Sequence, residues 1–202
     1  EAVDPVRYIT NHSTGKMGYA IAKIASRRGA EVTLVSGPTA EEEPAFVNVV
    51  NVCSAKEMFE AVKERAQEQD IIIKAAAVAD YRPKHIRGSK MKKTEDGSDL
   101  TLELERTDDI LAYLGAHKKQ GQFLCGFAME TEDLIANAKR KLEKKRLDMI
   151  AANSLRVEGA GFGGNTNVVT VITKEKEVSL GKMTKEETAA ELLTMIAEAR
   201  KV

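Results

Sequence analysis

A glycine-rich turn at residues 11–18, NHSTGKMG, runs directly into an apolar helical pattern. A helix that begins here leaves the N–H groups of its first turn without helical acceptors, and its dipole favours an anion. Gly15 and Gly18 allow a ligand or the sheet to come close, and Ser13 adds a hydroxyl. On pattern alone, an anion site and an ordinary N-cap by Ser13 or Thr14 are about equally favoured.

The turn matches neither a P-loop nor a dinucleotide-binding motif. A dinucleotide fold needs a third glycine and an acidic residue at the end of the second strand, but the strand at 31–37 ends at Ser36-Gly37. NAD binding is therefore disfavoured. A Rossmann-type NAD(P)-dependent oxidoreductase and a non-catalytic nucleotide-binding module are kept as alternative interpretations.

Small residues follow another buried strand in the segment 75–81, AAAVADY. They leave room for a flat ring, whose edge exposed backbone groups could recognise. Asp80 offers a carboxylate to a ligand or to Mg²⁺. The competing interpretation is close helix–sheet packing with Asp80 as a turn residue.

Lysines form two further candidate anion contacts. The run KMKK at 90–93 lies in the long polar loop 80–98, and positive charges on such a lid suit a polyphosphate. Lys141 and Lys145 are spaced i, i+4 on one predicted helix face. Either set could simply be solvated. The histidines show no metal-ligand spacing; they are His12, His85 and His117.

The elements that must position these residues alternate between strand and helix. Helices are predicted over 15–29, 54–69, 107–119, 131–146 and 183–201, and strands over 31–37, 46–52, 99–106, 122–129 and 147–153. Segment 70–80 is predicted to begin as a buried strand and to end in small residues, and a hairpin is predicted within 167–180. This alternation predicts a Rossmann-like α/β three-layer sandwich with a mainly parallel sheet and a C-terminal antiparallel hairpin. Ligands bind outside the carboxyl ends of such strands, where the candidate loops lie.

Composition narrows the class of protein. The 202 residues suit one domain, and 31 basic against 31 acidic residues argue against nucleic-acid binding driven by phosphate contacts. No apolar run is long enough to span a membrane. Cys53 and Cys125 lie in apolar runs without paired spacing, which predicts two buried, reduced thiols and a cytoplasmic protein.

Six segments in this order resemble the phosphopantothenoylcysteine synthetase (phosphopantothenate–cysteine ligase) family over nearly the whole chain. They are DPVRYITNHSTGKMGYAIA, GAEVTLVSGPT, KAAAVADYRP, KMKK, GFAMET and, after a lysine-rich helix, DMIAAN. The resemblance implies one ligase domain over 1–202 with 80–98 as a flap. Family members usually carry an apolar strand and a Gly-Gly-Thr turn just before segment 4–7. This sequence begins after them.

The resemblance also implies the reaction, that of an acid–amino acid ligase in coenzyme A biosynthesis. The carboxylate of 4′-phosphopantothenate attacks the α-phosphate of CTP, which gives an acyl-cytidylate and pyrophosphate. The amine of L-cysteine then attacks the acyl carbon and releases CMP. Mg²⁺ is expected with CTP. Some relatives differ in using ATP, a distinction that the residues themselves leave open.

Residue roles carry over by position from the same resemblance. Asn11 and Lys90 are implied to be catalytic, as donor to the acyl oxygen and as a flap lysine that reaches the triphosphate, with Lys92 and Lys93 as helpers. Substrate binding is implied for Asn11, Ser13, Gly15 and Gly18. Nucleotide binding is implied for Lys74, Ala75, Ala76, Asp80, Lys90, Asp108, Asp109, Ile110, Leu111, Phe127, Lys141 and Lys145. Asp80 is the candidate metal ligand.

Partners are implied as well. Family members of this kind act as homodimers, and strand 99–106 and the flap are the candidate contacts between subunits. The bacterial form is often fused to an N-terminal decarboxylase that carries FMN. No nucleic-acid or membrane partner is expected.

Overall fold

Three parallel strands form the centre of the fold. The structure, a computed structural model, describes residues 1–92, 99–130, 133–154 and 163–200. β3 (Ile71–Lys74), β6 (Phe123–Glu130) and β7 (Met149–Ser154) pair in parallel, and β7 then pairs antiparallel with β9 (Val169–Ile172) and β9 with β10 (Glu177–Ser179). A separate parallel pair consists of β1 (Val32–Ser36) and β2 (Val47–Asn51). The predicted mainly parallel sheet and the closing antiparallel hairpin are confirmed.

Helices cover both faces of the five-stranded sheet. On one face lie α1 (Lys16–Arg27) and α5 (Lys185–Ala199), whose apolar residues pack on Cys125, Met149 and Val171. On the other lie α2 (Ala55–Ala66), α3 (Ile110–His117) and α4 (Leu134–Lys144), which pack on Leu124 and Ile150. The predicted three-layer sandwich is therefore present. Short pairs complete the list: β4 (Tyr81–Pro83) with β5 (Leu104–Arg106), and β8 (Thr166–Asn167) with β11 (Met183–Thr184).

Local sequence signals explain where the helices begin. Ser54 accepts a hydrogen bond from the Glu57 N–H at 3.2 Å, and the Glu57 carboxylate accepts one from the Cys53 N–H at 2.9 Å. A complete capping box starts α5, where Thr184 and Glu187 satisfy each other's backbone groups.

Two sequence predictions need correction. Only Leu104–Arg106 of the predicted strand 99–106 is paired, and Leu100, Leu102 and Leu104 are exposed because no described element of this chain covers them. Cys125 is fully buried in β6, but Cys53 is exposed because it follows the end of β2. The first residues of the helix predicted over 131–146 lie outside the described residues, and α4 begins after Asp133.

An unfilled gap separates the two parallel sheets. β1 pairs along one edge with β2, and β3 pairs along one edge with β6. The other edges of β1 and β3 both line one cavity of about 1450 Å³, so neither strand is fully buried despite its apolar sequence. Within the described residues, no helix is long and apolar enough to cross a membrane.

Candidate functional site

The large cavity collects nearly all the residues that the sequence analysis singled out. At the carboxyl ends of the parallel strands it is lined by Asn11, Ser13, Gly15, Gly18, Lys74, Ala75, Ala76, Asp80, Asp108, Asp109, Ile110, Leu111, Phe127, Lys141 and Lys145. Lys90 is exposed and lies outside this lining. Lys92 is also exposed, whereas Lys93 falls outside the described residues.

One corner of the cavity is formed by lysines and aspartates. The Lys145 ammonium group lies 3.0 Å from Asp109 Oδ1 and 2.8 Å from Asp109 Oδ2. The Lys141 ammonium group donates to the Phe127 carbonyl at 3.1 Å. Asp109 also caps α3 by accepting from the Ala112 N–H at 3.0 Å. The start of α3, the end of α4 and the middle of β6 are thereby joined by charged hydrogen bonds.

Close backbone packing places α3 against the C-terminal end of α4. A Cβ atom added to Gly115 in α3 would lie 1.9 Å from the Lys145 carbonyl oxygen. Only glycine therefore allows α3 to rest directly on the backbone of Lys145. This contact brings the Asp109 cap of the same helix within reach of the Lys145 ammonium group.

The electrostatics of the corner shift two pKa values. Burial would raise the pKa of Asp109, but hydrogen bonds from Lys145 and from the Ala112 N–H outweigh it and lower that pKa. The pKa of Lys74 falls to about 8, chiefly because the side chain is desolvated and further because Lys141 and Lys145 repel its charge. Asp109 and Asp80 oppose this shift only in part.

The opposite wall of the cavity is the first turn of α1. Gly15, in the left-handed conformation at φ +79°, stands at the N-cap, and within the described residues no side-chain hydrogen bond caps the helix there. Of the two interpretations left open by the sequence, the cap by Ser13 or Thr14 is therefore absent. Gly18 lies beside Ala75, with 4.0 Å between an added Cβ and the Ala75 Cβ. The helix start thus faces the loop that follows β3.

Asn11 is held against that same loop. Its side-chain amide donates to the Ala77 carbonyl at 3.1 Å and to the Val78 carbonyl at 3.3 Å. Asn11 is exposed toward the cavity. A side-chain amide therefore stands between the α1 turn and segment 75–80.

Asp4 ties the flap to the N-terminal segment. Its buried carboxylate accepts from the backbone of Val6 and Arg7 at 2.8 Å each, from the Arg7 guanidinium, and from the Met91 N–H at 3.1 Å. Arg7 in turn donates to the Met91 carbonyl at 2.8 Å. Hydrogen bonding from Arg7, more than the backbone contacts, holds the pKa of Asp4 well below its usual range although burial opposes it. Asp4 and Arg7 were not recognised as site-supporting residues from sequence.

Three polar residues of the cavity were also missed. Asn153 at the end of β7 and Asn167 in β8 are buried, and the Asn153 amide donates to Asn167 Oδ1 at 2.6 Å. Lys185, at the start of α5, is buried and lines the same space. The polar Asn153 at the end of the apolar run 147–153 was the available signal.

A magnesium ion carried by a nucleotide fits the donors present. No group of three or more potential metal-binding side chains occurs within the described residues. Asp80 is exposed at the cavity. Asp108 and Asp109, which are adjacent in sequence, also line the cavity. Mg²⁺ commonly uses one or two carboxylates together with substrate phosphates, so these carboxylates suit an ion that arrives with its phosphates.

Comparison with known proteins gives consistent matches. The family model described as DNA/pantothenate metabolism flavoprotein C-terminal domain matches residues 1–199. The coenzyme A biosynthesis bifunctional protein CoaBC of Vibrio vulnificus (strain YJ016) is 48% identical over 196 residues, which cover 97% of this chain and 49% of that protein. CoaBC of Bacillus subtilis (strain 168) is 48% identical over 203 residues, covering 100% of this chain and 49% of that protein. The chain thus spans about half the length of these relatives.

Solved structures agree with the sequence matches. The crystal structure of the C-terminal domain of a CoaBC protein superposes with a TM-score of 0.82 at 45% identity, covering 97% of this chain and 88% of that one. A Cab2 variant in complex with phosphopantothenate-cysteine has a TM-score of 0.76 at 17% identity, covering 99% of this chain and 83% of that one. At that identity the second similarity establishes the fold alone.

Because Asp4 and Arg7 bind Met91, we predict that the attachment of the flap to the N-terminal segment depends on pH. Because the pKa of Asp4 is lowered in the folded protein, its stabilising contribution is present above the unfolded-state value near 4 and is lost as the pH falls below it. Asp4→Asn should remove this contribution at neutral pH and speed tryptic cleavage after Arg87 or Lys90.

The matched control is Asp99→Asn, at an exposed aspartate. Cleavage would be followed by mass spectrometry. Equal cleavage rates for wild type and Asp4→Asn at neutral pH would show that Asp4 does not anchor the flap.

Proposed function

This chain belongs to the DNA/pantothenate metabolism flavoprotein C-terminal domain family, and from that premise we propose that it joins 4′-phosphopantothenate and L-cysteine with CTP as the activating nucleotide. The observation that carries the proposal is the cavity itself. An uncapped helix start and the Asn11 amide form one wall, and the corner of Lys141, Lys145 and Asp109 forms another. Two anionic substrates could be bound side by side in such a space.

The chemistry requires positioning and charge neutralisation more than a strong base. In the first step a carboxylate oxygen of 4′-phosphopantothenate bonds to the α-phosphorus of CTP, and the bond to the leaving pyrophosphate breaks. In the second, the cysteine nitrogen bonds to the acyl carbon, the amine loses a proton, and CMP leaves with the electrons of the acyl–oxygen bond. The lysines of the corner would neutralise the phosphates in both steps.

Substrate placement follows from the two walls. Ser13, Gly15, Gly18 and the N–H groups of the α1 start would hold the phosphate of 4′-phosphopantothenate or the adjacent nucleotide phosphate. Ala75 and Ala76 leave room for the cytosine beside the backbone, and Phe127 with segment 108–111 would border the nucleotide. Asp80 would hold Mg²⁺ together with the phosphates, and the ion supplies further neutralisation of the leaving pyrophosphate.

Asn11 would act in the second step. As the amine adds, negative charge develops on the acyl oxygen, and an amide N–H aimed at that oxygen stabilises it. In the structure the same N–H groups reach the Ala77 and Val78 carbonyls, which hold the side chain at the cavity edge. Lys90 would reach the triphosphate from the flap.

The activity prediction separates the two half-reactions. Pyrophosphate release from CTP should require 4′-phosphopantothenate, and Asn11→Ala should slow cysteine addition about 100-fold while sparing acyl-cytidylate formation. Lys90→Gln should slow the first step about tenfold through loss of a charged phosphate contact. Rapid-quench assays of each half-reaction, with CTP and ATP compared, would measure these rates.

Two variants outside the cavity serve as controls, Asn48→Ala on β2 and Lys144→Gln on α4, both at exposed residues. Equal loss of both half-reactions in Asn11→Ala would contradict its role as an acyl-oxygen donor. Normal activation by Lys90→Gln would contradict the flap contact, and ATP used as well as CTP would overturn the nucleotide assignment.

The gap between β1 and β3 suits one further strand. Both of its edges belong to strands with unpaired backbone groups, and β1 and β3 each run parallel to their other partner. Glu1 lies at the rim of this cavity, where its carboxylate accepts from the Ala55 N–H at 2.6 Å. We propose that an apolar strand preceding Glu1 fills the gap and completes one continuous sheet.

This predicts that a chain extended by the residues preceding Glu1 in the gene product melts higher than the 202-residue chain. Burying the apolar sides of β1 and β3 and pairing their edges is the physical reason. Calorimetry would measure the melting temperature, and hydrogen exchange would report protection at Leu34 and Ile72. Unchanged exchange at both positions in the extended chain would contradict strand insertion.

Exposed apolar side chains support a homodimer. Leu100, Leu102 and Leu104 stand on one side of the segment that leads into β5, and Tyr81 of the paired β4 is about half exposed. An exposed row of this kind on a short two-stranded arm is typical of an interface. We propose that two copies of the chain pair through this arm and the flap.

Leu102→Glu is expected to shift the protein from dimer to monomer, because a charge would be buried in the apolar contact. Sedimentation velocity would give the mass. The control is Phe46→Glu, at a separate exposed side chain. Leu193 is not a suitable control position, because its side chain packs against the core. A dimer of unchanged affinity in Leu102→Glu, or a wild-type monomer, would remove the proposed interface.

A further inference from the structure

The side chain of Lys74, and not only its backbone, is placed where it could contact a ligand. It ends β3, pairs with Gly126 of β6, and its side chain lines the cavity in the lysine–aspartate corner. The residue is partly buried. A long cationic side chain at the carboxyl end of this edge strand therefore lies in the region in which such folds bind ligands.

The neighbouring charged groups come from three different elements. Lys141 lies on α4 and Lys145 at its C-terminal cap, Asp109 caps α3, and Asp80 belongs to the loop after β3. Asp109 is already bound to Lys145, and Lys141 donates to the Phe127 carbonyl. Three ammonium groups thus share a corner with two carboxylates.

Within the part of the chain that the structure describes, no hydrogen bond or ion pair is formed by the Lys74 ammonium group. Desolvation of an ammonium group is unfavourable unless its three N–H donors find acceptors. An anion with several oxygens would supply these acceptors and would offset the charge of the Lys74 ammonium group.

We propose that the Lys74 side chain is a phosphate ligand of the nucleotide, and that it holds a phosphate oxygen between Lys141 and Lys145. This inference rests on the proposed function for the nucleotide's identity. It assigns to the side chain a task distinct from the contact between cytosine and the backbone of segment 74–76. The flap lysine would then approach the phosphates from the open side, opposite Lys74.

A consequence for pH follows from the surroundings of Lys74. Burial and the two neighbouring lysines lower its pKa to about 8, so a sizeable fraction of the side chain is neutral in mildly alkaline solution without ligand. A phosphate beside it favours the charged form and raises the pKa. Binding near pH 8.5 should therefore take up roughly 0.7 proton, and affinity should fall as the pH rises above about 8.

The experiment is calorimetric titration of the protein with CTP at about pH 7 and about pH 8.5, each in two buffers of different ionisation enthalpy. The difference between the buffers gives the number of protons taken up. Lys74→Gln should weaken CTP binding about tenfold at the lower pH and abolish the uptake at the higher one. Lys74→Arg should retain binding and also show no uptake, because arginine does not titrate in this range.

Lys144→Gln, at an exposed lysine of the same helix as Lys141, is the matched control and should behave as wild type. Wild-type affinity together with wild-type proton uptake in Lys74→Gln would overturn the proposal. So would proton uptake that persists in Lys74→Arg, because the titrating group would then lie elsewhere.

A parallel titration with inorganic pyrophosphate separates this inference from the proposed function. If wild type binds pyrophosphate with Lys74-dependent proton uptake but shows no binding of CTP, the phosphate contact stands and the nucleotide assignment fails. If neither compound binds with uptake that depends on Lys74, the phosphate contact is overturned. Circular dichroism of both Lys74 variants would establish that they are folded.

Discussion

The parallel register of β3, β6 and β7 is the constraint on which the site depends. Lys74, the last residue of β3, pairs with Gly126, and Phe127 pairs with Ala151, so the three strands run in the same direction and their carboxyl ends lie at the same end of the sheet. Asp80 lies in the loop that leaves β3, and Asp109 lies between β5 and α3. Residues more than 70 positions apart in sequence, such as Lys74 and Lys145, therefore share one cavity wall. Without that register, the separate motifs would have no common location.

Charge balance in the corner is the second constraint, and it explains why this site favours anions. The Lys145–Asp109 ion pair is partly buried, and its main effect is to fix the end of α4 against the cap of α3. Gly115 makes that approach sterically allowed. Asp109 is engaged by Lys145 in this pair, and the partly buried Lys74 ammonium group adds a positive charge to the corner. A phosphate group gains more from such charges than it would in water.

The layers of the fold and the rim of the site could be predicted from sequence because each depends on local signals. Apolar periodicity located the helices and the central strands, and motif order indicated the residues that meet at the cavity. The exposure of the predicted strand 99–106 could not be predicted in the same way. Its alternating leucines satisfy the pattern of a half-buried strand, but burial needs a covering surface, and this chain supplies none within the described residues.

Tertiary effects also explain what was missed at the site. The role of Asp4 depends on Met91, 87 residues away, and no local pattern signals that pairing. The lowered pKa of Lys74 depends on charges from α3 and α4 that sequence spacing alone does not place beside it. Cys53 follows an apolar run, yet it is exposed because β2 is an edge strand. Long-range packing decides whether a residue that fits a local pattern is buried, paired or available to a ligand.

The gap beside β3 connects the stability of the fold to the site. β3 carries Lys74 and leads into segment 75–80, which holds Asn11 and faces α1, yet one of its edges is unpaired. Pairing that edge would restrict the backbone of the segment from both sides, and it would therefore fix the Asn11 amide and the Lys74 ammonium group relative to each other. Electrostatic catalysis depends on donors that are already in place, so in the proposed reaction the order of this single strand would bear directly on the rate. The edges of β1 and β3 that face the gap would therefore matter to the proposed chemistry, although neither β1 nor β2 bears a residue assigned to it.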